Sequence, residues 1–206
     1  MIKNKEDLKY YIECDMKALS CSSLGIGARI TSLYVPSIWK FQMILRKTEY
    51  LYNNRKKALD KLIFKLYYLR MIRYGYKLGF SIPLNVIGPG LCLCHAGTII
   101  INPNAKIGAN ARIHANVNIG NSSKFGESWV CDNTPVIGDN VYIGPGAKIF
   151  GKINIGDNVA IGANAVVNKD VPDHVTVAGI PAKVINENGS EGMIIYGTKS
   201  VDNVKC

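Results

Sequence analysis

From Ile137 onward an aliphatic residue recurs at every sixth position, through Ile143, Ile149, Ile155, Ile161 and Val167, and glycine directly follows four of them, at Gly138, Gly144, Gly156 and Gly162. Neither regular element has that period, since a strand alternates every two residues and an α-helix repeats near 3.6. A strict period of six requires short flat strands joined by repeated corners and stacked as a solenoid. Glycine after the aliphatic is expected to supply the positive φ that such a corner demands. The same pattern runs through Ile107-Gly108, Ile113 and Ile119-Gly120, and more loosely through Ile87-Gly88, Leu93 and Ile99. The interval from Ile119 to Ile137 fits either one more turn of the solenoid or a loop thrown out from it. Asn121-Ser122-Ser123-Lys124-Phe125-Gly126-Glu127-Ser128 reads as loop, which favours the second.

Ahead of the repeats the periodicity is helical. Leu8, Tyr11, Ile12, Met16 and Leu19 mark an amphipathic helix over residues 4–20, with Asn4 as N-cap and Glu6 and Asp7 in the first turn. Ser37 is placed to cap a second helix from Ile38 to about Tyr52, and a third runs from Lys56 to about Tyr76. The chain therefore divides into a small helical domain (1–79), the solenoid (80–185) and a polar tail (186–206).

Residues 36–80 hold eleven Lys and Arg against two Asp and Glu, nearly all of the net charge of +10. The cluster Arg55, Lys56, Lys57, Lys61, Lys65, Arg70, Arg73 and Lys77, interleaved with tyrosines, reads first as a solvated helix face and second as an anionic membrane surface; nucleic acid is not expected. No apolar run is long enough to span a bilayer and the N-terminus is not that of a signal peptide, so a cytoplasmic location is expected, with peripheral contact at the inner membrane face as the variant. The six irregularly spaced cysteines are then reduced thiols.

The stretches Ile107 to Gly120 and Ile137 to Val167, with the closing Ala178-Gly179-Ile180-Pro181-Ala182, resemble the hexapeptide-repeat acyltransferases, and the resemblance covers residues 80–185. It implies a mainly β chain, a left-handed parallel β-helix with a small N-terminal α-helical domain. It further implies acetyl transfer from acetyl-CoA to a hydroxyl and a homotrimer with active sites between subunits, a dimer of trimers being the larger alternative.

Acyl transfer from a thioester needs a base for the hydroxyl proton and donors for the oxyanion. Cys94-His95-Ala96-Gly97-Thr98-Ile99 is similar to the segment around the catalytic histidine of serine acetyltransferases, which makes His95 the expected base and His114, one coil on, the second choice. His174 reads as a surface turn residue. No Asp or Glu lies between Lys61 and Gly126, so the group orienting His95 has to be a backbone carbonyl, Asn85, or Glu127 or Asp132 on the loop. The resemblance places coenzyme A along the corners at Gly146, Ala147, Ala165 and Gly179, with Lys183 near its phosphates. It places the acceptor among Asn85, Cys94, Asp132, Asn133 and Thr134.

Serine acetyltransferases carry an Asp before the catalytic His and an Arg-His pair on the loop, where this chain has Cys94 and Asn133-Thr134. That departure predicts a neutral acceptor, a sugar of a surface polysaccharide or its precursor, over the alternative L-serine. A non-catalytic solenoid used for binding or assembly is the remaining reading. Cys92-x-Cys94-His95 is not expected to hold a metal, because strand alternation puts both cysteines on the face opposite His95.

Overall fold

The computed structural model describes residues 1–19, 34–122 and 133–198. Among these residues three helices, α1 (Lys5–Ala18), α2 (Tyr34–Asn54) and α3 (Ala58–Leu78), precede fourteen short strands. Asn4 caps α1 through a capping box with Asp7, and Gly79 closes α3 in the left-handed conformation. α2 begins before Ser37, which therefore lies within its first turn and is not its cap. The face of α1 buried most deeply is Cys14, Asp15 and Ala18, whereas Leu8, Tyr11, Ile12, Met16 and Leu19 are only half-buried.

The strands stack into three parallel ladders, which are the three sides of a β-helix. One side is β1 (Phe80–Ser81), β3 (Ile99–Ile101), β6 (Val117–Gly120), β9 (Lys148–Phe150) and β12 (Val166–Val167). A second holds β4 (Lys106–Ile107), β7 (Val136–Ile137) and β10 (Asn154–Ile155). The third runs through β2 (Cys92–Leu93), β5 (Arg112–Ile113), β8 (Tyr142–Ile143), β11 (Ala160–Ile161) and β13 (Thr176–Ala178), with β14 (Lys183–Asn186) folded back antiparallel on β13. The sixth-position aliphatics point inward, and Ile99, Ile113, Ile119, Ile143 and Ile161 are fully buried. At ~25 cal/mol per Å² of apolar surface, this continuous column is the main stabilising contribution of the solenoid.

Register settles the question of the long interval. Lys148 pairs with Val166, 18 positions on, whereas Asn118 pairs with Lys148, 30 positions on. Twelve residues are inserted in that coil beyond the regular turn, and residues 123–132, on which the expected loop falls, lie outside the described residues.

The corner glycines have a different role from the one expected. Gly108, Gly138 and Gly156 do not adopt positive φ; Asn110, Asn140 and Asn158 two positions later do, at 56°, 58° and 57°. At Gly138 an added Cβ would sit 2.8 Å from the backbone carbon of Gly156, so glycine is required for the coils to stack closely. The asparagines tolerate the left-handed region and bond to each other in a ladder: Asn110 Nδ2 donates to Asn140 Oδ1 (2.8 Å), and Asn140 Nδ2 to Asn158 Oδ1 (2.9 Å). His174, at φ 60°, ends this ladder 3.3 Å from Asn158.

The helices cap the open edge of the first coil. Gln42 donates to Leu91 O and accepts from Leu93 N–H, and Arg46 donates to Ile87 O and Gly88 O. Asp15 accepts from the N–H groups of Gly90 and Leu91, and Glu49 from that of Asn85. Side chains thus take the place of a preceding strand and satisfy an edge that would otherwise be exposed for pairing. At the other end, Ser190 donates to Asn140 O and the N–H groups of Gly197 and Thr198 reach Asn110, so the described part of the tail packs along the asparagine ladder.

Candidate active site

Every passage from the third side to the first makes one corner, and these corners form a column. From the first coil downward it contains residues 94–98, 114–116, 144–147 and 162–165, and residues 179–182, between β13 and β14, close it against Val166. Both candidate bases lie on it, because His95 follows β2 and His114 follows β5, and those strands pair in register. Their ring centroids are 5.8 Å apart. His95 is exposed. His114 is half-buried, its ring 5.0 Å from that of Tyr142, and its Nε2 is buried with no partner among the described residues. Burial lowers the pKa of His114, and Arg112 and His95 lower it further, so the imidazole is held neutral and able to accept a proton.

Cys92 and Cys94 point to the same side of their strand, with their sulfurs 3.9 Å apart. Arg112, paired in register with Cys92, reaches across to Cys94. The hydrogen bond with Cys92 and the charge and hydrogen bond of Arg112 hold the Cys94 thiol below its usual range, against the effect of burial. Arg112 is thus a cation on β5, immediately before the corner that carries His114, and it reaches Cys94 in the neighbouring coil. It was not among the residues singled out from sequence, although it flanks Ile113 directly before His114. An outward-facing arginine in a hexad whose inward neighbours are all apolar was the available signal.

The corner residues expected to meet coenzyme A share this column. Gly146 is at φ 78° and Gly179 at φ 97°, conformations that suit glycine. Ala147 and Ala165 put their methyl groups into the core and their N–H groups into turn hydrogen bonds with Gly144 O and Gly162 O. What they lend a ligand is therefore a tight corner and no free donor. Lys183 is exposed on β14, just past the last corner.

Three of the expected acceptor residues do not meet the histidines within one chain. Asn85 faces the helices, exchanging hydrogen bonds with Asn53 at 3.0 and 2.9 Å. Asn133 donates to Ser122 O and Thr134 to Asn104 O, at the base of the loop. Asp132 and Glu127 lie outside the described residues. Among the described residues no group of three or more His, Cys, Asp or Glu side chains is arranged to hold a metal ion, and no helix is long and apolar enough to cross a membrane.

The repeat, the closing segment and the histidine-bearing corners define a hexapeptide-repeat acyltransferase, and the family of bacterial transferase hexapeptides (six repeats) matches residues 134–169. The chain is 30% identical over 202 residues to the serine acetyltransferase of Buchnera aphidicola, an alignment covering 98% of this chain and 70% of that enzyme. It is 34% identical over 176 residues to the serine acetyltransferase of Haemophilus influenzae, covering 85% and 62%. The solved serine acetyltransferase of Brucella abortus in complex with coenzyme A superposes with a TM-score of 0.65 at 26% identity, covering 90% of this chain and 70% of that one. The chain belongs to the serine acetyltransferase family. Its solenoid is the left-handed parallel β-helix of that family, and its class of reaction is O-acetyl transfer.

Proposed function

We propose that the protein transfers acetyl from acetyl-CoA to the hydroxyl of L-serine, with His95 as the general base and Arg112 as the counter-charge for the acceptor carboxylate. The observation that carries this reading is the position of Arg112 on β5, hydrogen-bonded to Cys94 and close enough to His114 to act on its charge, at the edge of the corner column. The sequence argument for a sugar acceptor rested on a missing guanidinium at the loop and on Cys94 in place of an aspartate before His95; Arg112 on the coil answers the first and leaves the second standing. The serine acetyltransferases it is similar to point the same way, although the chain spans only 62% of some of them.

His95 takes the proton as the serine oxygen attacks the thioester carbonyl; the tetrahedral intermediate collapses with the C–S bond breaking, and the imidazolium returns the proton to the departing thiolate. His114, neutral beside it, accepts a hydrogen bond from the acceptor or takes over as base. Coenzyme A runs down the column past Gly146, Ala147, Ala165 and Gly179 toward Lys183. Corners without bulky side chains leave room for the pantetheine arm, and the lysine is a point charge suited to phosphate. The family resemblance supports a homotrimer in which the loop, with Asp132, Asn133 and Thr134, completes the pocket of a neighbouring subunit.

Thiol release from acetyl-CoA tests the reading with L-serine and simple sugars as acceptors. L-Serine should be the better acceptor. Arg112→Gln should lower kcat/KM for L-serine by about 10²-fold, mainly through KM, while His95→Ala lowers kcat by ~10²-fold or more with coenzyme A affinity kept. Turnover with a sugar and none with L-serine would restore the glycan reading. Full turnover in His95→Ala would pass the role to His114.

A further inference from the structure

Helix α3 carries two apolar faces and packs only one of them. Met71 and Gly75 are buried toward α2 and the first coil, and Phe64 stacks between Tyr52 and Tyr68. On the opposite side Leu59, Leu62, Leu66, Leu69 and Tyr76 stand 64%, 54%, 60%, 54% and 88% exposed. Their spacing of three, four, three and then seven residues keeps them in a single row along the helix. By the 100° step of the helix, Lys61 and Lys65 border this row on one edge and Arg70 and Lys77 on the other, with Arg73 inside it. All five cations are exposed, and Asp60 is the one acidic residue of the helix.

From this arrangement we infer that α3 is a docking surface for an anionic lipid bilayer, lying along the headgroup plane with its leucine row inserted. The occupant follows from the charge. A leucine row bordered on both edges by long cationic side chains lets the stems cover apolar surface while the ammonium and guanidinium groups reach lipid phosphates. A second copy of the same helix would bring cations against cations along both edges, and an uncharged bilayer would leave them unpaired. Docking of this kind places the enzyme beside the membrane without any spanning segment, and it is independent of which acceptor the site takes.

Co-sedimentation of the full chain with vesicles tests the inference, comparing phosphatidylcholine alone with a mixture containing about a third phosphatidylglycerol. Binding to the anionic vesicles should exceed binding to the neutral ones by about tenfold or more and be lost at ~0.5 M salt. Leu66→Glu with Leu69→Glu should abolish it while acetyl transfer in solution is unchanged, and Lys65→Gln with Arg70→Gln should weaken it and its salt dependence. Equal binding by the leucine variant, or no preference for phosphatidylglycerol, overturns the inference. So does a protein assembly in sedimentation that the leucine variant breaks, which would make the row a contact between copies.

Discussion

The helical region and the coils are held by opposite means. Inside the solenoid the sixth-position residues are aliphatic, and the backbone groups of one coil pair with those of the next. Where the helices meet the first coil, the largest fully buried side chain among the described residues is Arg46, enclosed with Asp15 and Glu49 at 2.8 and 3.0 Å. The difference follows from what each region has to satisfy. A coil in the middle of the stack finds its partners in identical neighbours, while the first coil has an edge with no neighbour, and only side chains with several donors and acceptors can stand in for one. Arg46 does this with four acceptors from three segments of the chain, and the two carboxylates keep it protonated against the effect of its burial.

Removing the guanidinium is the harshest way to break that contrast. Arg46→Met would leave Asp15 and Glu49 buried without a counter-charge and Ile87 O and Gly88 O without a donor. The expected loss is about 3–5 kcal/mol, measured by urea unfolding. Burial already pushes the Glu49 carboxyl up despite Arg46, so in the variant it should take up a proton. A loss no larger than that of a surface substitution would show that the network is a passenger and that apolar contacts of Phe41, Ile44 and Leu45 with the coil hold the helices.

The coil side should respond more gently and evenly. Ile143 is fully buried in the central column, and Ile143→Val removes one methylene; about 1 kcal/mol is expected from the lost transfer energy and small cavity. Ile161→Val one coil on should cost the same within a few tenths, since the two positions pair in register and have equal burial. Unequal losses would mean that the coils are not the equivalent units that their period suggests.

This contrast also explains what could be read from the sequence. A repeat announces itself because the same physical requirement recurs at fixed spacing, so the ladders, the inserted loop and the pairing of His95 with His114 were all legible. The Asp15, Arg46 and Glu49 cluster was not: each is a charged residue of a type that is seldom fully buried, and 31 residues separate Asp15 from Arg46. α1 shows the cost, since its apolar stripe ends half-buried while Asp15 goes inside. The corner chemistry was legible in place but not in cause, with asparagine supplying the positive φ and glycine the close approach. Arg112 was overlooked because its role arises between coils: its partner Cys94 stands in a different coil, and only the register brings them together.

The smallest effect expected lies at that same junction between coils, in the titration of His114. Burial lowers its pKa from the ordinary 6.5, with Arg112 and then His95 adding to it, and Cys94 and Tyr142 are the other titratable groups at hand. In the window between the folded value and 6.5 the unfolded chain binds the proton and the folded chain does not. Stability therefore falls as pH drops through that window and is constant above it. Arg112→Gln removes one of the three causes, so the imidazole should titrate higher, nearer 6.5, and the loss of stability on acidification should shrink. Titration of the imidazole by NMR reads this directly, in the parent and in the variant, with His95→Gln to assign the signal. A His114 that titrates at or above 6.5 in the parent would show that water or a loop carboxylate reaches its Nε2, and the reading of a neutral imidazole poised beside His95 would have to be abandoned.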